Sequence, residues 1–158
     1  MRIILEGPDC AGKTTLATKL KEKLTDYLYI HHGVYAHAYK PHLESLKLET
    51  VIIDRHWPSE LIYGTIFRAG PTYNIYTMEK RVTENVLTKH ILCLPPKDLV
   101  LKNFLERKGK GQEQFDDVSK VYDAYKLFKN TFPYFVLYNY AEQSAEEFIK
   151  KEIYGQRE

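Results

Sequence analysis

Short, wholly apolar runs recur along the chain, each closed by turn or polar residues. Ile3-Ile4-Leu5 stops at Glu6-Gly7, and Val51-Ile52-Ile53 stops at Asp54-Arg55. Ile91-Leu92-Cys93-Leu94 ends at Pro95-Pro96, and Phe135-Val136-Leu137 ends near Asn139. Runs without in/out alternation suit strands covered on both faces, as in a parallel sheet. Residues 27–30 form a weaker fifth strand candidate. Segments of helical period lie between these runs. Residues 13–25 carry Leu16, Leu20 and Leu24 at four-residue spacing. Residues 97–107 carry Leu101, Phe104 and Leu105, and residues 114–130 carry Val118, Val121, Tyr125 and Phe128. Residues 58–68 and 76–89 also read as helices, with Pro58 well placed at a helix start. A short helix is expected after the second strand and another after the last. This alternation predicts an α/β layered fold with right-handed crossovers. Ligands of such sheets bind beyond the carboxyl ends of the strands, so the chemistry is sought there.

Composition narrows the field. The 158 residues suit one domain and one core, and no linker or repeat divides them. Lys and Arg number 23 against 21 Asp and Glu, a net charge of +2 that leaves no basic excess for coating nucleic acid. Cys10 and Cys93 are far apart and match neither a disulfide framework nor a zinc cluster. The apolar run in MRIILEGPDC is too short for a secretory signal, and no stretch reaches the length of a membrane span. A cytoplasmic protein that does not enter membranes is expected. Among the six histidines, His31, His32, His37 and His42 cluster in sequence, but their spacing matches no ligand set. The aromatic stripe Phe115, Tyr122, Tyr125 and Phe128 has helical spacing and is assigned to the core.

The strongest chemical signal follows the first strand. Gly7-Pro8-Asp9-Cys10-Ala11-Gly12-Lys13-Thr14 is a G-x-x-x-x-G-K-T loop, with a strand before it and a helix after it. Two glycines let the backbone wrap an anion and aim N–H groups at it, and the helix adds the positive end of its dipole. Lys13 would reach the β- and γ-phosphates of a nucleoside triphosphate, and the Thr14 hydroxyl would ligate Mg²⁺. Nothing resembling the guanine-reading N-K-x-D segment of GTPases follows. Asp54 ends another strand and can hold the magnesium ion through water, as the second carboxylate of a P-loop site does. Arg55 comes next, a cation where donor and acceptor phosphates would meet.

The segment Asp54-Arg55-His56-Trp57-Pro58-Ser59-Glu60-Leu61-Ile62-Tyr63 resembles the D-R-[YH]-x-x-S-x-x-x-Y stretch of thymidylate kinases. Taken with Glu6-Gly7-Pro8-Asp9-Cys10-Ala11-Gly12-Lys13-Thr14-Thr15 and the basic loop Arg107-Lys108-Gly109-Lys110-Gly111-Gln112-Glu113, the chain is similar to thymidylate kinase-like deoxynucleotide kinases in a compact form suited to a small viral genome. The resemblance implies a P-loop three-layer sandwich, with a five-stranded parallel sheet flanked by helices and a lid at about residues 107–115. It implies ATP binding by Gly7, Cys10, Ala11, Gly12, Lys13, Thr14, Thr15 and Arg107. Asp9, Arg55, Ser59, Tyr63 and Arg68 would hold a deoxynucleoside monophosphate, with Asp9 at the 3′-hydroxyl. Thr14 and Asp54 would hold Mg²⁺, and Lys13, Asp54, Arg55, Arg107 and Lys110 would act on the transferring phosphoryl group. Cys10 stands where one branch of the family has a P-loop arginine, so the missing cation is expected from the lid. A homodimer through helices that include residues 58–68 is a further implication.

The chain also departs from the family. Only about 40 residues separate Lys13 from Asp54, and His31-His32-Gly33-Val34 replaces the R-E-P-G-G-T-type turn. Base recognition would then come from among Tyr35, Tyr39, Trp57, Arg68 and Tyr73. Two other functions compete with the monophosphate kinase. A deoxynucleoside kinase would want a carboxylate base after the second strand, where histidines stand instead. A nucleotide-binding regulator without activity would have no need of Lys13, Thr14, Asp54, Arg55 and the basic loop together.

Overall fold

The computed structural model describes residues 1–33, 38–84, 87–111 and 117–155. Strands β1 (Arg2–Glu6), β2 (Leu28–His31), β3 (Val51–Asp54), β4 (Thr88–Cys93) and β5 (Val136–Tyr138) form one parallel sheet in the order β2-β3-β1-β4-β5. Helices α1 (Lys13–Lys23), α2 (Tyr39–Ser45), α3 (Trp57–Phe67), α4 (Ile75–Thr83), α5 (Lys97–Lys108), α6 (Val118–Thr131) and α7 (Ala145–Glu152) are threaded between them. Their succession is the one the hydrophobic pattern predicts.

The apolar runs become the middle layer of a three-layer sandwich because both faces of the sheet are covered. Ile3, Leu5, Ile52, Ile91 and Cys93 pack with Leu16 and Leu20 of α1, Val100 and Phe104 of α5, and Phe148 of α7. Ile4, Val51, Ile53 and Leu92 face the other way, onto Ile62 of α3, Met78 of α4, and Val121 and Phe128 of α6. Each such side chain contributes roughly 1.5–3 kcal/mol by leaving water. Tyr122, Tyr125 and Phe128 are buried as expected, while Phe115 lies outside the described residues.

Two boundaries differ from the sequence reading. The helix expected over 76–89 ends at Thr83, and Thr88, Lys89 and His90 belong to β4. Their backbones pair with Arg2, Ile3 and Ile4 of β1, and this ladder overrides local helix preference. Lys89 also pairs with Glu152 of α7 at 2.7 Å. The helix expected over 114–130 begins at Val118 among the described residues, where Asp117 accepts the Lys120 N–H at 3.2 Å.

Candidate active site

The loop between β1 and α1 lies at the centre of the sheet. Gly7 has φ 140°, and a Cβ there would sit 2.3 Å from the Cys93 carbonyl oxygen. Gly12 has φ 85°, with the Tyr140 ring 2.9 Å from the place of its missing Cβ. Both positions therefore need glycine, for conformation and for space. Cys10 also takes positive φ, at 63°. The loop delivers Lys13 into a buried place, where its Nζ donates to the carbonyls of Gly7 at 2.9 Å and Pro8 at 2.6 Å. Burial, and after it the nearby Arg55 cation, lower the Lys13 ammonium pKa. Ala11 is fully buried beneath the loop, while Thr14 and Thr15 lie exposed at the start of α1.

β3 pairs with β1, which brings the Asp54-Arg55 pair beside this loop. The register sets Leu5 against Asp54, and the Arg55 N–H donates to the Leu5 carbonyl at 2.9 Å. Arg55 has φ 73°, a conformation that costs a residue with a side chain about 1–2 kcal/mol. In return its guanidinium donates to Asp9 Oδ1 and to Ser59 Oγ at 3.2 Å, and its centre lies 4.9 Å from the Tyr63 ring centroid. Tyr63 donates its hydroxyl to Asp9 Oδ2 at 3.1 Å. Four of the acceptor-side candidates, Asp9, Arg55, Ser59 and Tyr63, thus form one cluster. Burial works against the charge of Asp9, but the Arg55 and Lys13 cations outweigh it and lower the carboxyl pKa.

Asp54 is almost wholly buried. Burial would raise its pKa, yet the His31 hydrogen bond and the Lys13 and Arg55 charges hold it at about 2. Tyr29 donates its hydroxyl to Oδ2 at 2.9 Å, and His31 Nδ1 lies 3.1 Å from the same atom. Oδ1 is buried without a partner among the described residues. An ionised, unpaired oxygen near the start of α1 fits a hard cation that keeps much of its water, as magnesium does.

Sequence reasoning missed Glu6 as a hub. Its carboxylate is fully buried and accepts the His56 N–H, the Ser59 hydroxyl at 2.7 Å and the Tyr125 hydroxyl at 2.8 Å. It thereby caps the start of α3 and fixes the serine that Arg55 touches. Burial pushes its pKa up. The packing of three histidines was not foreseen either: the His42 and His56 rings stack at 4.3 Å, and His32 meets His42 edge-on at 4.6 Å. His32 and His42 line a small cavity with Gly33, Ala38, Arg55, Ser59 and Glu60. A histidine-rich turn next to a D-R pair was the available signal.

The remaining candidates separate. Arg68 pairs with the buried Glu60 at 2.7 Å and is not among the residues lining that cavity. Arg107 lies in the last turn of α5 with Nη1 3.7 Å from Cys10 Sγ, which places the guanidinium against the P-loop. Lys110 is exposed in the turn that follows, and residues 112–116 lie outside the described residues. Trp57 corrects the sequence reading: it is 0% exposed and packs on Phe128, Phe132 and Phe135, so it cannot stack on a base. Tyr73 contacts His42 Nδ1 through its hydroxyl at 2.6 Å and packs against Tyr39, and Tyr35 lies outside the described residues.

No family model matches the chain. It is 28% identical to the SPbeta prophage-derived uncharacterized protein YorR of Bacillus subtilis (strain 168) over 163 residues, covering 96% of each chain. The crystal structure of Bacillus subtilis YorR in complex with phosphorylated GDP aligns with a TM-score of 0.76 at 23% identity, covering 98% of this chain and 94% of that one. Deoxyadenosine kinase from M. mycoides with bound dCTP aligns at 0.63 and 19% identity, over 99% and 100%. Thymidylate kinase from Candida albicans aligns at 0.60 and 16%, over 98% and 93%. The chain has the α/β fold of P-loop nucleotide kinases. Among the described residues, no helix is long and apolar enough to cross a membrane.

Proposed function

We propose that the protein is an ATP-dependent kinase that phosphorylates a deoxynucleoside 5′-monophosphate, dTMP-like or a modified pyrimidine, to the diphosphate. The observation that carries this is the buried Arg55. It is held between Asp9, Ser59 and the P-loop, where it offers a fixed cation to an acceptor that is already a phosphate. In-line attack of such a phosphate on the γ-phosphorus needs positioning and charge rather than a base. Lys13 and the P-loop amides hold the donor phosphates, Arg55 holds the acceptor phosphate, and Asp9 with Tyr63 meets the deoxyribose. Mg²⁺, held by Thr14 and Asp54, would neutralise charge on the β- and γ-phosphates. Support also comes from the neighbours, a deoxyadenosine kinase with bound dCTP and a thymidylate kinase.

The test is transfer of labelled γ-phosphate to every nucleoside and monophosphate, from ATP and, given the guanine nucleotide held by YorR, from GTP. Label on monophosphates alone is expected. Label on bare nucleosides would favour the deoxynucleoside kinase that the M. mycoides structure suggests, and no transfer would favour a regulator. Asp9→Asn should raise the acceptor KM about tenfold, the scale of one charge-assisted hydrogen bond, with little change in the ATP KM. Equal movement of both constants would remove Asp9 from the acceptor side.

The phosphoryl-stabilising cation is assigned to Arg107, which already reaches the P-loop, with Lys110 second. Arg107→Ala should cut kcat by about 10²-fold while ATP binding changes little. Unchanged kcat in both Arg107→Ala and Lys110→Ala would reduce the segment to a solvated turn. The homodimer is proposed across α3, α4 and α6, where Leu127 of α6 and Tyr76 of α4 stand exposed beside an apolar groove lined by Leu61, Ile62 and Phe132. Light scattering should give twice the 18.6 kDa chain mass, and Leu127→Asp should return it to one.

A further inference from the structure

Asp54 ends β3 beside the edge strand β2, and its two carboxylate oxygens have different surroundings. Oδ2 takes both donors, the Tyr29 hydroxyl at 2.9 Å and His31 Nδ1 at 3.1 Å. Oδ1 has no partner among the described residues, although it is buried. The sheet register explains the pairing. His31 lies directly opposite Asp54, and Tyr29 is two residues earlier, on the same face of β2. A carboxylate can turn about its last bond and offer either oxygen. Two donors from one strand stop that turn, fixing one oxygen in the protein and leaving the other with all its acceptor capacity. Because an ionised carboxylate only accepts, His31 must carry its proton on Nδ1, with Nε2 facing away.

We propose that Tyr29 and His31 are positioning residues that hold the Asp54 carboxylate so that Oδ1 faces the magnesium ion's coordination shell. This rests on the assignment of Asp54 to magnesium made above. Both side chains keep substantial exposure, 41% for Tyr29 and 52% for His31, so neither is there chiefly to fill a core. A polar edge strand also discourages pairing with other chains, and that alternative predicts no effect on a metal. Donors behind a ligating carboxylate set its orientation and basicity, and their loss weakens metal affinity by at least about tenfold in well-built sites.

The experiment uses Mn²⁺ as a paramagnetic probe, titrated by electron spin resonance into the full chain saturated with an unreactive ATP analogue. Wild type, Tyr29→Phe, His31→Ala, His31→Asn and Asp54→Asn are compared, with thermal melts alongside. Tyr29→Phe and His31→Ala should each weaken Mn²⁺ binding roughly tenfold, and together approach Asp54→Asn. Analogue affinity without metal should stay constant. His31→Asn should restore binding, since its amide nitrogen can donate from the place of Nδ1. Wild-type Mn²⁺ affinity in Tyr29→Phe and His31→Ala, with Asp54→Asn weakened, would overturn the inference and leave the metal assignment standing. A lowered melting temperature without a Mn²⁺ shift would also overturn it. Wild-type Mn²⁺ affinity in Asp54→Asn would remove the metal assignment, and this inference with it.

Discussion

Replacing Lys13 with methionine is expected to lower the rate of phosphoryl transfer by at least ~10²-fold while the protein stays folded. The buried ammonium donates to the carbonyls of Gly7 and Pro8, neutral partners that leave its charge ready to meet that of a triphosphate. Methionine keeps much of the apolar stem's packing and removes the charge, so a loss of rate cannot be put down to an emptied core. Burial lowers the Lys13 pKa, so the folded state is not stabilised by keeping it charged, and the melting temperature should change little. Single-turnover transfer and circular dichroism on the same preparation check both halves. A folded Lys13→Met protein with wild-type turnover would overturn the P-loop assignment.

A second large effect is expected from acid alone. Burial depresses His42 to about 2, His56 to about 3, and His32 and His90 to about 4, against an ordinary value near 6.5. The unfolded chain takes up these protons first, so stability is full only well above pH 6.5 and falls as pH drops through 6.5 towards 4. Each histidine removes about 1.4 kcal/mol per pH unit in that window. Four such groups acting in the same direction are set against a whole domain stability of only ~5–15 kcal/mol, so the loss is large by pH 5. Glu6 acts with the opposite sign, because its raised pKa favours folding as acid protonates it, but it is one group against four. Urea titrations between pH 7.5 and 5 should show a steep fall in midpoint. His90→Phe, in a site already lined by Tyr134 and Phe135, should make that fall shallower. A midpoint constant over this range would show that the rings titrate alike in the folded and unfolded chain.

Features carried by neighbouring residues were legible in the sequence. The apolar runs gave the buried strands, and G-x-x-x-x-G-K-T with the D-R pair gave the loop and its partner. The polar half of β4 was not legible, because Thr88, Lys89 and His90 gain their strand character from pairing with β1. Trp57 was misplaced because a tryptophan beside a site motif can face either way, and only α6 and the segment after it show that it faces inward. Glu6, Tyr29 and His31 were unread as site residues for a related reason. Their partners lie 25 to 119 positions away or, as for His31 and Asp54, depend on which strand lies next to which. A charged residue in an otherwise apolar first strand was the one hint for Glu6.

The central position of β1 has a consequence for how the protein is made. The phosphate loop leaves the ribosome before β3 and β4 do, so nothing around it can be complete at that time. Its partner residue Arg55 follows 42 positions after Lys13, and Gly7 rests against the carbonyl of Cys93 in β4. Parallel pairing of β1 with β3 and β4 closes long loops before any contact rewards them, which slows folding. A nascent chain arrested short of residue 93 should therefore fail to retain nucleotide, and the capacity to bind should arise in one step once β4 has emerged.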